Sequence, residues 1–304
     1  MTRLDDSGYA ALTAMRVEAP GRIAKALADR PRRERLTADG ALFIVAADHT
    51  ARGMIGVPGQ PRAMVDRRTM LERLLTALDN PRVDGVLASA DILEDLICLG
   101  ALDGKVAVGT MNRGGLAGAQ WEIDDRFTAY DADHLVAANL DAGKMLLRID
   151  PGDRGTIPTL AACAAAVVAL NDRQLMAMVE PIPYKKDGAG RAVWDHDPEA
   201  LLKAIGVCAG LGGSSAYTWL KIQATADIVT VAKATTQPLL ILGGSPGPDP
   251  EATFASWAAA LEEPTVRGLV VGRALLYPPD GDVESAVGRA AELVSAAVSR
   301  RGRS

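Results

Sequence analysis

From Ala41 almost to its end, this chain alternates short apolar runs with stretches of helical periodicity. Few architectures accommodate that rhythm. The first run, Ala41-Leu-Phe-Ile-Val-Ala-Ala47, is apolar at every position, as suits a strand covered on both faces in a parallel sheet. The same reading predicts strands at Val83–Ser89, Lys105–Met111, Lys144–Asp150, Gln174–Glu180, Tyr217–Gln223, Pro238–Leu242 and Gly268–Val271. Helical patterns fall at 64–78, 91–99, 131–142, 156–170, 198–211, 227–234, 250–261 and 283–298, with Asp91 read as an N-cap and 185–197 as a polar loop. This alternation predicts an α/β chain folded as a (β/α)8 TIM barrel. A doubly wound open sheet is the competing fold, but no Gly-x-Gly-x-x-Gly turn follows the first strand. Residues 5–29 read as helical, interrupted near Pro20-Gly21 and stopped by Pro31. The expected organisation is a helical N-terminal extension, 1–38, before a barrel catalytic domain, 39–304.

With 48% hydrophobic and 23% charged residues the composition is globular, and a net charge of −5 argues against a general nucleic-acid surface. A local cationic pocket is compatible with that charge. Cys98, Cys163 and Cys208 lie far apart and suggest neither a disulfide framework nor a zinc motif, which fits a reducing cytoplasm. Cys163, in an alanine-rich helical pattern, reads as a small buried thiol. Asp5, Asp6, Arg16 and Glu18 interrupt any signal-peptide core, and the apolar run 160–170 is too short for a membrane span. The expectation is a cytoplasmic homo-oligomer needing no metal or cofactor, with a small-molecule substrate and neither nucleic acid nor membrane as partner.

In a barrel of this kind, chemistry gathers at the C-terminal ends of the strands. That rule selects Asp48 and His49, Asn112 and Arg113, Asp150, Glu180, Gly243 to Ser245, and Gly272-Arg273. Lys144 and Lys221 lie within strands and reach the same mouth if they point inward. A lysine in an apolar strand has two readings. It ends an edge strand and snorkels to solvent, or it is desolvated and serves as an amine nucleophile. Lys144 beside it would then depress its pKa by like-charge repulsion. Gly243-Gly244-Ser245 and Gly272-Arg273 fall after the last two strands, where barrels of this class hold phosphate. Glycines let backbone N–H groups approach phosphate oxygens, and a guanidinium holds two of them. Glu180 is either a solvated loop carboxylate or a general acid/base beside the lysine. His134 and His196 read as solvated.

These segments resemble the class I, Schiff-base aldolases of the tagatose-bisphosphate and deoxyribose-phosphate aldolase superfamily. Met178-Val-Glu-Pro-Ile-Pro-Tyr184, Leu220-Lys-Ile222, Lys144-Met-Leu-Leu-Arg-Ile-Asp150 and Val271-Gly-Arg-Ala274 carry the resemblance, nearest to the tagatose-bisphosphate branch, which includes sulfofructose-phosphate aldolase. The chain also resembles actinobacterial barrel proteins encoded beside inositol-catabolism genes, which implies cleavage of a phosphorylated keto-deoxy-gluconate. It departs from the branch at Asp48-His49, two residues before Arg52-Gly53 where Asp-Gln-Arg-Gly is usual, and at Gln223-Ala-Thr-Ala226 after the lysine. Both departures bear on substrate identity. The resemblance implies a metal-independent aldehyde-lyase cleaving a phosphorylated ketose or keto-deoxy sugar acid. Lys221 would form the Schiff base, Glu180 would move protons with Tyr184 as relay, Lys144 would tune the nucleophile and Asp48 would orient hydroxyls. Gly243, Gly244, Ser245, Gly272, Arg273, Arg52 and His49 would hold substrate or phosphate. A Lys-dependent isomerase acting by enolisation and a non-catalytic sugar-phosphate-binding barrel are the alternatives.

Overall fold

A computed structural model describes residues 4–247 and 249–302. Two helices come first, α1 (Asp6–Glu18) and α2 (Gly21–Asp29), meeting at Pro20 as expected. Then β1 (Leu42–Ala46), α3 (Arg67–Asp79), β2 (Gly85–Ala88), α4 (Ala90–Cys98), β3 (Val106–Thr110), α5 (Ala132–Ala137), β4 (Ala142–Ile149), α6 (Thr156–Asp172) and β5 (Met176–Lys186) follow. The chain continues through β6 (Ala192–Trp194), α7 (Pro198–Ala209), β7 (Thr218–Gln223), α8 (Ile228–Lys233), β8 (Leu239–Leu242), α9 (Pro250–Ala260), β9 (Val266–Val271), α10 (Arg273–Leu276) and α11 (Val283–Arg301). The parallel sheet runs β4-β3-β2-β1-β9-β8-β7-β5, and β4 pairs with β5 to close it. The chain is a (β/α)8 barrel.

The strands' alternation sorts side chains into two layers. Leu42, Ile44 and Ala46 of β1 meet Leu87, Val108, Met178, Leu240 and Val270 inside the barrel, with Leu36 and Trp219 against the same cluster. Phe43, Val45, Val179, Leu220, Ile222 and Ile241 face outward and pack with the helices. Apolar residues on both faces are what the continuous runs signalled. Gly268 (φ +139°) permits a close crossing of β9 and β1, since a Cβ there would lie 1.8 Å from the Leu42 carbonyl oxygen. At the N-terminal end of the barrel, Asp84 accepts from Phe43 N and pairs with Arg33, while Asp141 accepts from Ala107 N and pairs with Arg30. The segment after α2 is thereby tied to the barrel floor.

At the opposite end, aspartates cap the helices that follow the βα loops. Asp66, Asp131, Asp197, Asp227, Asp249 and Asp282 each accept a backbone N–H of their own helix. Each cap contributes about 1 kcal/mol and fixes where its loop ends.

Three local expectations are corrected, and one of the two readings left open for Lys221 is excluded. The loop 185–197 contains β6, which pairs antiparallel with the end of β5 (Tyr184 opposite Trp194), so β5 runs to Lys186 and beyond Glu180. The helix expected over 131–142 stops at Ala137, because Asn139 takes a left-handed φ of 54° and Ala142 already opens β4. Ser89, not Asp91, precedes α4; its hydroxyl donates to Asp91 at 2.5 Å. Lys221 does not end an edge strand: β7 lies between β5 and β8, and the residue is buried.

Candidate active site

The alternation that fills the barrel interior also aims the polar residues into its mouth. Lys144 lies two positions beyond Ala142, Glu180 two beyond Met178, Lys221 two beyond Trp219, Thr110 two beyond Val108 and Asp48 two beyond Ala46. Each continues an inward-facing series one step past the apolar plug. Val179 pairs with Leu220, which sets Glu180 beside Lys221 across neighbouring strands.

The charges form one buried chain. Lys221 Nζ lies 3.0 Å from Glu180 Oε1, and Glu180 Oε2 holds Lys144 Nζ in direct contact. Lys144 is 3.5 Å from Asp48 Oδ2, which also meets Arg113 Nη2 at 2.8 Å and accepts from the Thr110 hydroxyl at 3.2 Å. Burial would raise the Glu180 pKa, but Lys144 and Lys221 overcome it and bring it down to about 2. Burial likewise opposes ionisation of Asp48, and Arg113 and Lys144 hold its pKa well below the usual carboxylate range. Burial pushes the Lys144 ammonium down to about 8 against the pull of both carboxylates. Both carboxylates are therefore ionised at neutral pH, and Lys144 sits close to losing its proton. His49 is brought down to about 3 by burial, with Arg273 and Lys221 adding to the effect, so its imidazole is neutral. Its Nδ1 is enclosed with no partner among the described residues.

A cavity of about 200 Å³ opens on this chain of charges. It is lined by Asp48, His49, Lys144, Glu180, Tyr184 and Lys221, and by Gly243, Gly244, Ser245, Gly272 and Arg273 from the β8 and β9 ends. Gly244 has φ +64°, and a Cβ on Gly272 would lie 2.2 Å from the Ala46 carbonyl oxygen. Only glycine lets the chain pass so near β1 before entering α10. Arg273 is buried against the cavity and its Nε has no partner among the described residues.

Not every selected residue offers a free group. Arg52 lines the cavity, but its amino groups donate to Gly115 O and Asn112 O at 2.8 Å and pair with Asp125 at 2.5 Å. The expected substrate-binding guanidinium is committed to the β3–α5 loop. Asn112 bridges to Leu146 of β4 through both its carbonyl and its amide, and Asp150 accepts from Gly152 N within its own turn. Asn112 thereby serves the backbone, while Asp150 keeps Oδ2 enclosed without a partner among the described residues but does not line the cavity. His134 and His196 are exposed.

Three cavity residues with polar groups stand outside the set given roles. Arg113 was a strand-end candidate whose tie to Asp48 has no signature in sequence. Arg148, the next inward position past Leu146, pairs with Glu122 at 3.1 Å and Asp125 at 3.3 Å, and its guanidinium lies 5.5 Å from the Tyr184 ring centre. The run Lys144 to Asp150 held its signal, a second basic residue at inward parity. Trp194 comes from β6, which was read as loop.

Fold and site together define a (β/α)8 barrel with a buried lysine–carboxylate pair at its mouth. The chain belongs to the Cgl0159-like family, whose model matches residues 40–291. It is similar to the crystal structure of Cgl0159 from Corynebacterium glutamicum, with 47% identity and a TM-score of 0.93 over 96% of this chain and 98% of that one. An archaeal fructose-1,6-bisphosphate aldolase, solved with its catalytic lysine covalently bound to the carbinolamine intermediate, shares the fold. Its TM-score is 0.64 at 20% identity, over 90% of this chain and 99% of that one. Fructose-bisphosphate aldolase from Slackia heliotrinireducens gives 0.62 at 15% identity, over 92% and 91% of the respective chains. Comparison with curated proteins returns no match.

Proposed function

We propose that this protein is a class I aldolase that cleaves a phosphorylated ketose or keto-deoxy sugar acid through an imine on Lys221. The observation that carries the reading is the buried contact of Lys221 with Glu180 at the barrel mouth, beside a glycine-rich, arginine-bearing corner. The fold it shares with an aldolase whose lysine carries a carbinolamine agrees with this reading. The Cgl0159-like membership leaves the branch of the superfamily open.

The chemistry follows from the charge chain. Glu180, ionised between two lysines, accepts the proton that Lys221 must lose before its amine attacks the substrate ketone. The carbinolamine expels water after protonation by Glu180, leaving an iminium. The substrate hydroxyl then gives up its proton to Glu180, the carbon–carbon bond breaks, and its electron pair moves into the iminium to leave an enamine and free aldehyde. Protonation of the enamine and hydrolysis of the imine release the second product and restore Lys221. Asp48 orients hydroxyls, Tyr184 relays protons, and Gly243 to Ser245 with Arg273 hold the phosphate.

The test is reductive trapping. Borohydride with a panel of ketose phosphates and keto-deoxy acid phosphates leaves a stable adduct on Lys221, located by peptide mass spectrometry. An adduct on another lysine, or EDTA-sensitive turnover with no adduct, overturns the mechanism. Adducts without aldehyde release indicate enolisation instead, and binding without adducts indicates a binding barrel.

A further inference from the structure

The mouth has a wall built from outside the eight strands. β5 continues past the barrel rim and folds back through the turn 187–191 to β6. Asp187 and Arg191 pair across that turn at 2.8 Å, Lys185 meets Asp195 at 2.8 Å, and Lys186 reaches Asp153 of the β4–α6 loop at 2.7 Å. Asp195 N also donates to Pro183 O at 2.8 Å, which ties the return strand to the rim. The hairpin is thus held in place. It presents Tyr184 and Trp194, a cross-strand pair, to the cavity.

Trp194 is unusual among these groups. Its indole stacks on the His196 ring, with centroids 5.3 Å apart, which fixes its plane. Its N–H is enclosed and has no acceptor among the described residues. A buried donor without a partner is costly, and indole nitrogens in such settings are ordinarily hydrogen-bonded. An oxygen of a molecule in the cavity supplies what the protein does not. The strand order adds direction: β8 and β9, which carry the glycine/arginine corner, are separated from β5, which carries the hairpin, by β7. Lys221, on β7, falls between these two sides.

We propose that Trp194 is a specificity-determining residue whose indole N–H binds an oxygen at the end of the substrate remote from its phosphate. The inference rests on the sugar-phosphate reading of the cavity but not on imine chemistry. A three-carbon phosphate fills the corner and reaches Lys221 without meeting Trp194. A longer chain spans both. The enzyme thereby favours long substrates over the short fragment they release.

The test uses ligands that cannot form an imine. Calorimetric affinities of hexitol 1,6-bisphosphate and glycerol 3-phosphate are measured for the wild type and for Trp194→Phe, which keeps a ring and removes the N–H. The expected result is a loss of about three- to tenfold for the hexitol bisphosphate alone, the worth of one hydrogen bond. Unchanged glycerol 3-phosphate affinity shows that the variant's corner is intact. Equal losses for both ligands, or none for either, overturn the proposal, as does failure of both to bind the wild type. Borohydride trapping on Lys221 is scored separately, so a missing adduct defeats the aldolase reading while the binding comparison still decides the role of Trp194.

Discussion

Lys221 and Glu180 sit on adjacent strands at matched height, and their charged ends meet 3.0 Å apart inside the barrel. Neither group is stable alone at that depth. A buried ammonium needs a counter-charge, and a buried carboxylate needs cations around it. Replacing Lys221 by Met removes the proposed nucleophile while Glu180 keeps Lys144. Turnover is expected to fall by about 10³-fold or more, with no borohydride adduct anywhere on the chain. Steady-state assay and mass spectrometry check this, and residual adduct on Lys144 would sink the assignment.

Glu180→Gln removes the one anion shared by two ammonium groups. A decrease in kcat of about 10² to 10⁴ is expected from loss of the proposed proton carrier. Stability should also fall, by about 3 kcal/mol or more, because Lys144 and Lys221 lose their common partner. Lys144, already pushed to about 8, then releases its proton more readily, so the variant recovers stability as pH rises above neutrality. Denaturant unfolding at pH 7 and pH 9 measures both effects. A variant as stable as wild type would refute the paired-charge account.

His49 predicts a pH dependence with a defined sign. Its folded pKa of about 3 lies below the usual 6.5, so the unfolded chain takes up the proton first on acidification. Its contribution to stability is complete above pH 6.5 and declines as pH falls toward 3. The Glu180 contribution is complete above 4.5 and declines toward about 2, so the window from 6.5 to 4.5 separates the two. His49 keeps some exposed surface, which holds the expected loss between pH 7 and pH 5 to the order of 1 kcal/mol. In His49→Asn the drop in melting temperature between those values should shrink. Equal drops in both proteins would exclude His49 as its source.

Arg273 borders the cavity with an Nε that has no partner among the described residues, so its loss should affect binding more than chemistry. Arg273→Lys keeps the charge but not the two-pronged geometry. KM for phosphorylated substrates should rise by about tenfold, the scale of one charge-assisted hydrogen bond, with kcat changed much less. Inhibition by inorganic phosphate should weaken in parallel. A fall in kcat at unchanged KM would place Arg273 elsewhere in the mechanism.

Much of the architecture was legible in the chain because barrel strands are apolar on both faces. Runs such as 41–47 and 238–242 admit few other placements. The polar residues that break this pattern at inward parity, Lys144, Glu180 and Lys221, were legible for the same reason: burying a charge in such a run needs compensation. Trp194 was not, since Ala192 to Trp194 is a strand too short for periodicity to register. Arg52 showed in sequence only as a basic residue after the first strand. Its acceptors come from Asn112, Gly115 and Asp125, sixty or more positions away.

The sequence by itself determined the eight-strand rhythm, the side of each strand that bears charge and the strand ends from which the site is drawn. These follow from local periodicity, which acts over a few residues. Only the tertiary structure decided which charges meet. Closure of β4 on β5 and the pairing of β5 with β7 put Glu180 between two lysines, and the β3 end brings Arg113 to Asp48. Those contacts depend on barrel register and on desolvation, which exist only once distant segments are packed together.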